Sequence, residues 1–143
     1  MGKSKVDGVM LLKIKLSAYS HLVSMIEACE LHLYELDHKM KGIRSSANFQ
    51  ELRLENKPYE NLIIKYQTKH DEWNKKLIKY KADLHEVSNI IYSIECDETR
   101  ELIKDFYVER LPMTDIELKY NLSQNEGYRA VNKTLHKLLT LTS

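Results

Sequence analysis

The apolar positions of the chain fall into three regions with different spacing. From about Val6 to Lys41 no proline interrupts, and Leu22, Ile26, Cys29, Leu33, Leu36 and Met40 recur in steps of four and three. That spacing puts them on one face of a helix. Leu12, Leu16 and Tyr19 continue the face upstream, with one phase slip between Tyr19 and Leu22 that turns the seam slightly. Gly42 follows the last apolar position, where a helix C-cap falls. The stretch Gly42 to Pro58 loses the period and reads as a connector. A short helix is expected there around Phe49 to Leu54, with Pro58 in the first turn of the next helix.

The second region is more regular. Tyr59, Ile63, Tyr66, His70, Trp73, Leu77, Tyr80, Leu84, Val87, Ile91 and Ile94 hold four-three spacing over about five heptads, with lysines and acids between them. A seam of that length requires another helix along it. Residues 1–96 are therefore expected to form a long antiparallel helical hairpin, coiled-coil-like, with connector 42–58 and arms of about 50 Å. The hairpin closes either within one chain or between two, and Ile63, Tyr66, Trp73, Leu77, Tyr80 and Leu84 are the expected partner or dimer seam. His70 is the seam position that is not conventionally apolar. It reads as a satisfied core histidine, with a pH-sensitive register element as the other reading.

The third region, residues 97–143, changes character. Asp97 is placed to cap a helix from Glu98 to about Arg110 with Leu102, Ile103, Phe106 and Tyr107 as its stripe. Leu111 and Pro112 end it. Thr114-Asp115-Ile116-Glu117 has the pattern of a capping box, opening a short helix to Lys119 or Tyr120. Asn121 and Leu122 make a tight connection, and Ser123-Gln124-Asn125-Glu126 repeats the box nine residues on (123 minus 114). The last helix then runs to about Leu139. Two fixed helix starts so close together describe a short helix crossing a second one at a steep angle, the layout of a helix-turn-helix. The expected fold class is thus all-α, with a C-terminal three-helix helix-turn-helix domain after the hairpin.

On a helical wheel of the last helix, Tyr128, Val131, Leu135 and Leu138 share the sector expected to face the core, with Ile116, Leu118 and Leu122 opposite them. The other side carries Asn125, Glu126, Arg129, Lys133, His136 and Lys137, with Asn132 on its flank. From Gln124 onward Arg129, Lys133 and Lys137 stand against Glu126, a local charge of +2 (three minus one). Arg reads guanine, and Asn or Gln reads adenine, in the major groove. The lysines further along suit phosphates, as do helix starts at Thr114 and Ser123. Thr114, Ser123, Gln124, Asn125, Arg129, Asn132, Lys133, His136 and Lys137 are therefore the candidate DNA-binding residues. The plain alternative is an amphipathic helix with a solvated face.

Composition narrows the picture. With 22 Lys+Arg and 21 Asp+Glu the net charge is +1, so binding to nucleic acid through bulk charge is excluded and local placement has to do it. A charged fraction of 30% with only 4 Gly and 2 Pro favours helix over sheet. Cys29 and Cys96 give neither a disulfide framework nor a metal pair, and read as reduced thiols. Cys29 with His32 lacks further ligands at zinc spacing. No phosphate loop, nucleophile elbow or paired-carboxylate motif is present, so neither enzyme, cofactor nor small-molecule substrate is expected. The uncharged stretch Leu16 to Ile26 is far below the roughly 20 residues of a membrane span, and a cytoplasmic protein of a bacterial host cell is expected.

The run TRELIKDFYVERLPMTDIELKYNLSQNEGYRAVNKTLHKLL resembles the C-terminal end of phage and prophage transcription regulators of the RinA and ArpU type. That end is itself similar to the domain of bacterial sigma factors that reads the −35 promoter element. The shared features fall on Arg100, Phe106-Tyr107, Ile116 to Tyr120, Ser123 and Tyr128-Arg129, and more loosely on a long helix, a connector with Ser45-Ser46 and a second long helix. Gly127 departs from the pattern, standing where the family carries a branched apolar residue, at about 1 kcal/mol of helix propensity against Ala. The resemblance implies a phage-encoded DNA-binding regulator of late or packaging genes. Its expected partners are double-stranded DNA and either a second copy, another regulator or a component of RNA polymerase. The alternative is a protein-interaction adaptor or anti-repressor that binds another regulator through its hairpin.

Overall fold

The computed structural model describes residues 2–44 and 57–142, with side chains over 8–43 and 60–140. The described chain is all-helical: α1 Gly2–Ser17, α2 Tyr19–Arg44, α3 Lys57–Tyr92, α4 Asp97–Tyr107, α5 Met113–Lys119 and α6 Glu126–Thr142. The short helix expected around Phe49 to Leu54 lies outside the described residues. Contacts divide the chain into two compact units, Val23–Ala82 and Met1–Leu22 with Asp83–Ser143.

In Val23–Ala82, α2 and α3 face each other in opposite directions within one chain. Glu30 lies 3.9 Å from Lys81, the His32 ring stacks on Trp73 at 4.1 Å, and Asp37 lies 3.2 Å from His70. Numbers rise on one helix as they fall on the other. Cys29, Leu36, Met40 and Leu77 are buried, while Ile63, Tyr66, Trp73 and Tyr80 are half-buried. The seam is thus narrow, as two helices alone must leave it. His70 is the partnered histidine expected of that position. Gly42 does not end α2, which continues to Arg44. Nothing about Gly42 requires a glycine, since open space surrounds it.

The other unit is built differently from expectation. The helix read as continuous from Val6 breaks at Ala18, so α1 and α2 are two helices. The phase slip just beyond Tyr19 is the sequence trace of that break. α1 packs against α6, with α4 and α5 on the same core. Gly8 makes the approach possible, since a Cβ there would lie 2.9 Å from Leu139 Cδ2. Leu16, Ile103, Ile116 and Leu135 are fully buried at the centre, and Val9, Leu102, Tyr107, Met113, Val131 and Leu138 surround them. Among the described residues no single helix is long and apolar enough to cross a membrane. α1 and α2 reach that composition only when joined across their break.

Helix ends also depart from the sequence reading. Cys96, not Asp97, is the N-cap of α4, and Asp97 instead pairs with Arg100. α4 stops at Tyr107 because Arg110 takes φ 56° and the Leu111 N–H donates back to the Asp105 carbonyl at 2.9 Å. α5 begins at Met113 with Pro112 as its N-cap, so Thr114 lies inside the first turn and caps nothing. Leu118 is 81% exposed rather than buried, and Tyr128 is 52% exposed. Met113 and Gly127 occupy the core positions instead.

Gly127 explains its own presence. A Cβ at that position would lie 2.2 Å from Met113 Sδ, with Met113 Cγ and Glu117 Cγ both at 3.2 Å. The Met113 and Glu117 side chains of α5 take the space that a side chain at position 127 would need. Gly127→Ala gains about 1 kcal/mol of helix propensity but overpacks the contact by about 1–3 kcal/mol. A net loss of stability on the order of 1 kcal/mol is expected in urea unfolding. The loss should shrink in a Met113→Ala background, and a Gly127→Ala chain more stable than the parent would disprove the close-contact account.

Candidate nucleic-acid interface

The C-terminal segment of the larger unit is held together by one buried carboxylate. Asp105, 6% exposed on the inner side of α4, accepts from Tyr120 Oη at 2.6 Å and from Lys119 Nζ at 2.8 Å. Both donors come from the end of α5. Burial pushes the Asp105 carboxyl upward, but the Lys119 and Tyr120 hydrogen bonds outweigh it and hold the group below its ordinary range. Tyr120 is pushed well above the usual phenol value, first by burial and then by its bond to Asp105.

From there the chain turns twice to reach α6. Asn121 takes φ 57°, the Leu122 N–H donates to the Glu117 carbonyl at 2.8 Å, and the Asn121 N–H donates to Leu118 at 3.4 Å. These are the paired bonds of a Schellman helix end, with Asn as the left-handed residue. The connection from Tyr120 to Asn125 has six residues, so Asn121-Leu122 is only its first turn. Asn125, at φ 71°, makes the second and accepts the Arg129 N–H at 3.2 Å to start α6.

The two expected capping boxes are used in another way. Glu117 does not reach back to Thr114; its carboxylate accepts the first-turn N–H of Gly127 at 3.3 Å and so caps the following helix. Glu126 is engaged by the Ser123 hydroxyl and then by the Ser123 backbone, which together hold its carboxyl below the ordinary range. That engagement draws the Glu126 carboxylate toward the turn. Periodicity had no access to the role of Glu117, because it depends on where α5 and α6 meet.

With α6 fixed this way, its inner stripe is Gly127, Val131, Leu135 and Leu138. Thr114, Ser123, Gln124, Asn125, Arg129, Asn132, Lys133, His136 and Lys137 are all exposed. They are not one cluster, however. Ser123, Gln124 and Asn125 lie on the turn, and Arg129, Asn132 and His136 share the outward side of α6. Lys133 and Lys137 also line a groove of about 370 Å³ with residues 93–102. Thr114 is on α5. Tyr128 lies edge-on to Phe106 with ring centres 6.0 Å apart, so the Tyr128-Arg129 pair splits between an aromatic contact and solvent. Sequence reasoning missed Asp105 and Lys119. An acid four positions from Glu101 on a polar-looking turn gives no sign of burial.

Among the described residues no group of three or more His, Cys, Asp or Glu is placed to hold a metal ion. Cys29 is buried and Cys96 exposed, both as free thiols. The Thr99 hydroxyl and then its backbone hold the Cys96 thiol below its ordinary range.

Asp105 carries the pH dependence of this region. A carboxyl held low in the folded chain contributes stability above its unfolded value of about 3.9. That contribution is lost as pH falls through the lower folded value. Asp105→Asn should cost about 2 kcal/mol at neutral pH, because Lys119 and Tyr120 lose a charged acceptor. The gap between variant and parent, read from urea midpoints, should be full at neutral pH and narrow progressively as pH falls below about 4. An unchanged gap across that range would show that the carboxylate charge does not matter here.

Comparison with known proteins returned no match: no family model fits the chain, and no curated protein or solved structure resembles it significantly.

Proposed function

We propose that α4, α5 and α6 form a helix-turn-helix unit that reads double-stranded DNA, and that the protein is a transcription regulator of the phage or prophage kind its sequence resembles. The observation that carries this reading is the outward side of α6. Its inner stripe is sealed by α1, α4 and α5, yet Arg129, Asn132 and His136 remain exposed beside Ser123, Gln124 and Asn125. None of Arg129, Lys133 and Lys137 forms an ion pair within 4.0 Å with a described residue. An amide- and guanidinium-bearing helix start with exposed donors suits base edges, and the Thr114 hydroxyl with Lys133 suits the flanking phosphates, while the Ser123 hydroxyl is held by Glu126. The turn residues are positioned by Asn121 and Asn125 in left-handed backbone, which presents them ahead of the helix rather than beneath it.

In this reading α6 fixes position on the duplex, and the paired α2 and α3 offer a docking surface to a second copy, another regulator or a polymerase component. Control of late or packaging genes follows from the family resemblance. The adaptor or anti-repressor reading is favoured by a separate observation: Leu31, Tyr34, Ile64 and Ile78 are exposed apolar side chains on α2 and α3.

Selection of bound duplexes from a random pool, followed by salt-dependent shift assays, tests the choice. Arg129→Ala should relax base preference at one position by about 1–3 kcal/mol, whereas Lys133→Ala should weaken all duplexes alike and lower the salt slope by about one. A chain that enriches no duplex even at low salt would transfer the assignment to the adaptor reading.

A further inference from the structure

The groove beside α6 has a composition that DNA recognition does not use. Its floor is apolar, made by Ile94, Leu102, Ala130 and Leu138, and Lys133 and Lys137 stand along one edge. The hydroxyls that line it are already committed: Ser93 Oγ donates to the Ile90 carbonyl at 2.6 Å, and Thr134 Oγ1 to the Ala130 carbonyl at 2.8 Å. Arg100, which does not line it, spends one nitrogen on the Ile94 carbonyl at 2.9 Å and another on Asp97. Glu95 is the one acid among the lining residues, and it forms no ion pair with either lysine. The groove therefore offers a concave apolar floor and two ammonium groups that form no ion pair with a described residue.

We infer that this groove is a docking site for an acidic peptide segment of a partner protein, with an apolar side chain seated on the floor and carboxylates meeting Lys133 and Lys137. The volume of about 370 Å³ holds one or two large side chains, enough for an anchor but not for a folded domain. Charge complementarity selects acid over base in the flanking positions. A phosphate backbone gains nothing from Ile94, Leu102 and Leu138, and Lys137 stands about 80° around α6 from Arg129, away from the side proposed for base contact. Lys133, about 40° from Arg129, lies on the border between the two sides. The inference does not rest on DNA binding, and the two fail separately.

A displayed library of random peptides is selected on the full-length chain, and a synthetic, fluorescein-labelled copy of the enriched peptide is titrated by anisotropy. The enriched sequences are expected to share an apolar residue flanked by Asp or Glu. Binding should fall about tenfold or more with Lys137→Glu and with Ala130→Glu, which fills the floor, and should persist with Lys137→Arg and with Lys75→Glu on α3. Circular dichroism melts of the Ala130 and Lys137 variants separate loss of the groove from loss of the fold. Failure to enrich any peptide, enrichment without acidic residues, or binding insensitive to both groove variants would overturn the inference. So would a mixed-sequence duplex that displaces the peptide through Lys137, because the groove would then belong to phosphate.

Discussion

A carboxylate taken out of water has to be matched by donors, and Asp105 finds both of its donors on one short stretch of chain. Lys119 and Tyr120 cannot leave α4 without stranding that charge, so the end of α5 is tied to the middle of α4. The consequences run along the backbone. Asn121 reverses the chain immediately after the tie, and Glu117, one turn earlier on α5, takes the first free N–H of α6. At the other end of α5, Met113 closes on Gly127. Two contacts from one short helix thus set both the start of α6 and its rotation about its own axis. Which residues of α6 face outward is decided there.

Much of that outward side was legible from the amino-acid sequence because a long amphipathic helix has a period. Val131, Leu135 and Leu138 identify the buried stripe, and the polar residues opposite them follow by geometry. The error at Tyr128 and Gly127 has a specific cause. A wheel drawn by hydrophobicity assigns the tyrosine inward and ignores the glycine, yet at the point of closest approach the core needs absence of a side chain. Leu118 fails for a related reason: a helix of two turns has too few positions to define a face. At Gly127 the missing side chain is matched by Met113 filling the space from the other helix.

α1 marks the limit of the method. Val9, Met10, Leu11, Leu12, Ile14 and Leu16 spread around the helix rather than along one side, and Met10, Leu11 and Ile14 remain exposed. Without a preferred face, periodicity gives no partner, and simple continuity assigned the segment to the long paired helices. The information that places it on α6 is small and local: Gly8 admits Leu139, and Ala18 ends one helix before the next begins. Similarly, the capping-box pattern located real helix starts within two residues, and Glu126 does engage Ser123 locally, but Glu117 serves a contact between helices that a local motif does not encode.

The two glycines also bear on how α6 serves more than one surface. Gly8 and Gly127 leave room for one side chain at each contact, Leu139 of α6 against α1 and Met113 of α5 against α6, and the sealed stripe occupies four positions, Gly127, Val131, Leu135 and Leu138. Bulkier contacts would have spread the neighbours and covered more of the helix. The remaining arc, from Tyr128 round to Lys137, stays wide enough for an outward polar side and a separate groove edge. Lys133 is the single residue where these meet, about 40° from Arg129 on one side and from Lys137 on the other. A ligand that draws the Lys133 ammonium toward the groove floor removes it from the outward side, and the reverse holds equally. Any coupling between the two surfaces therefore has a defined physical origin in one shared side chain, with no need for the helices to move.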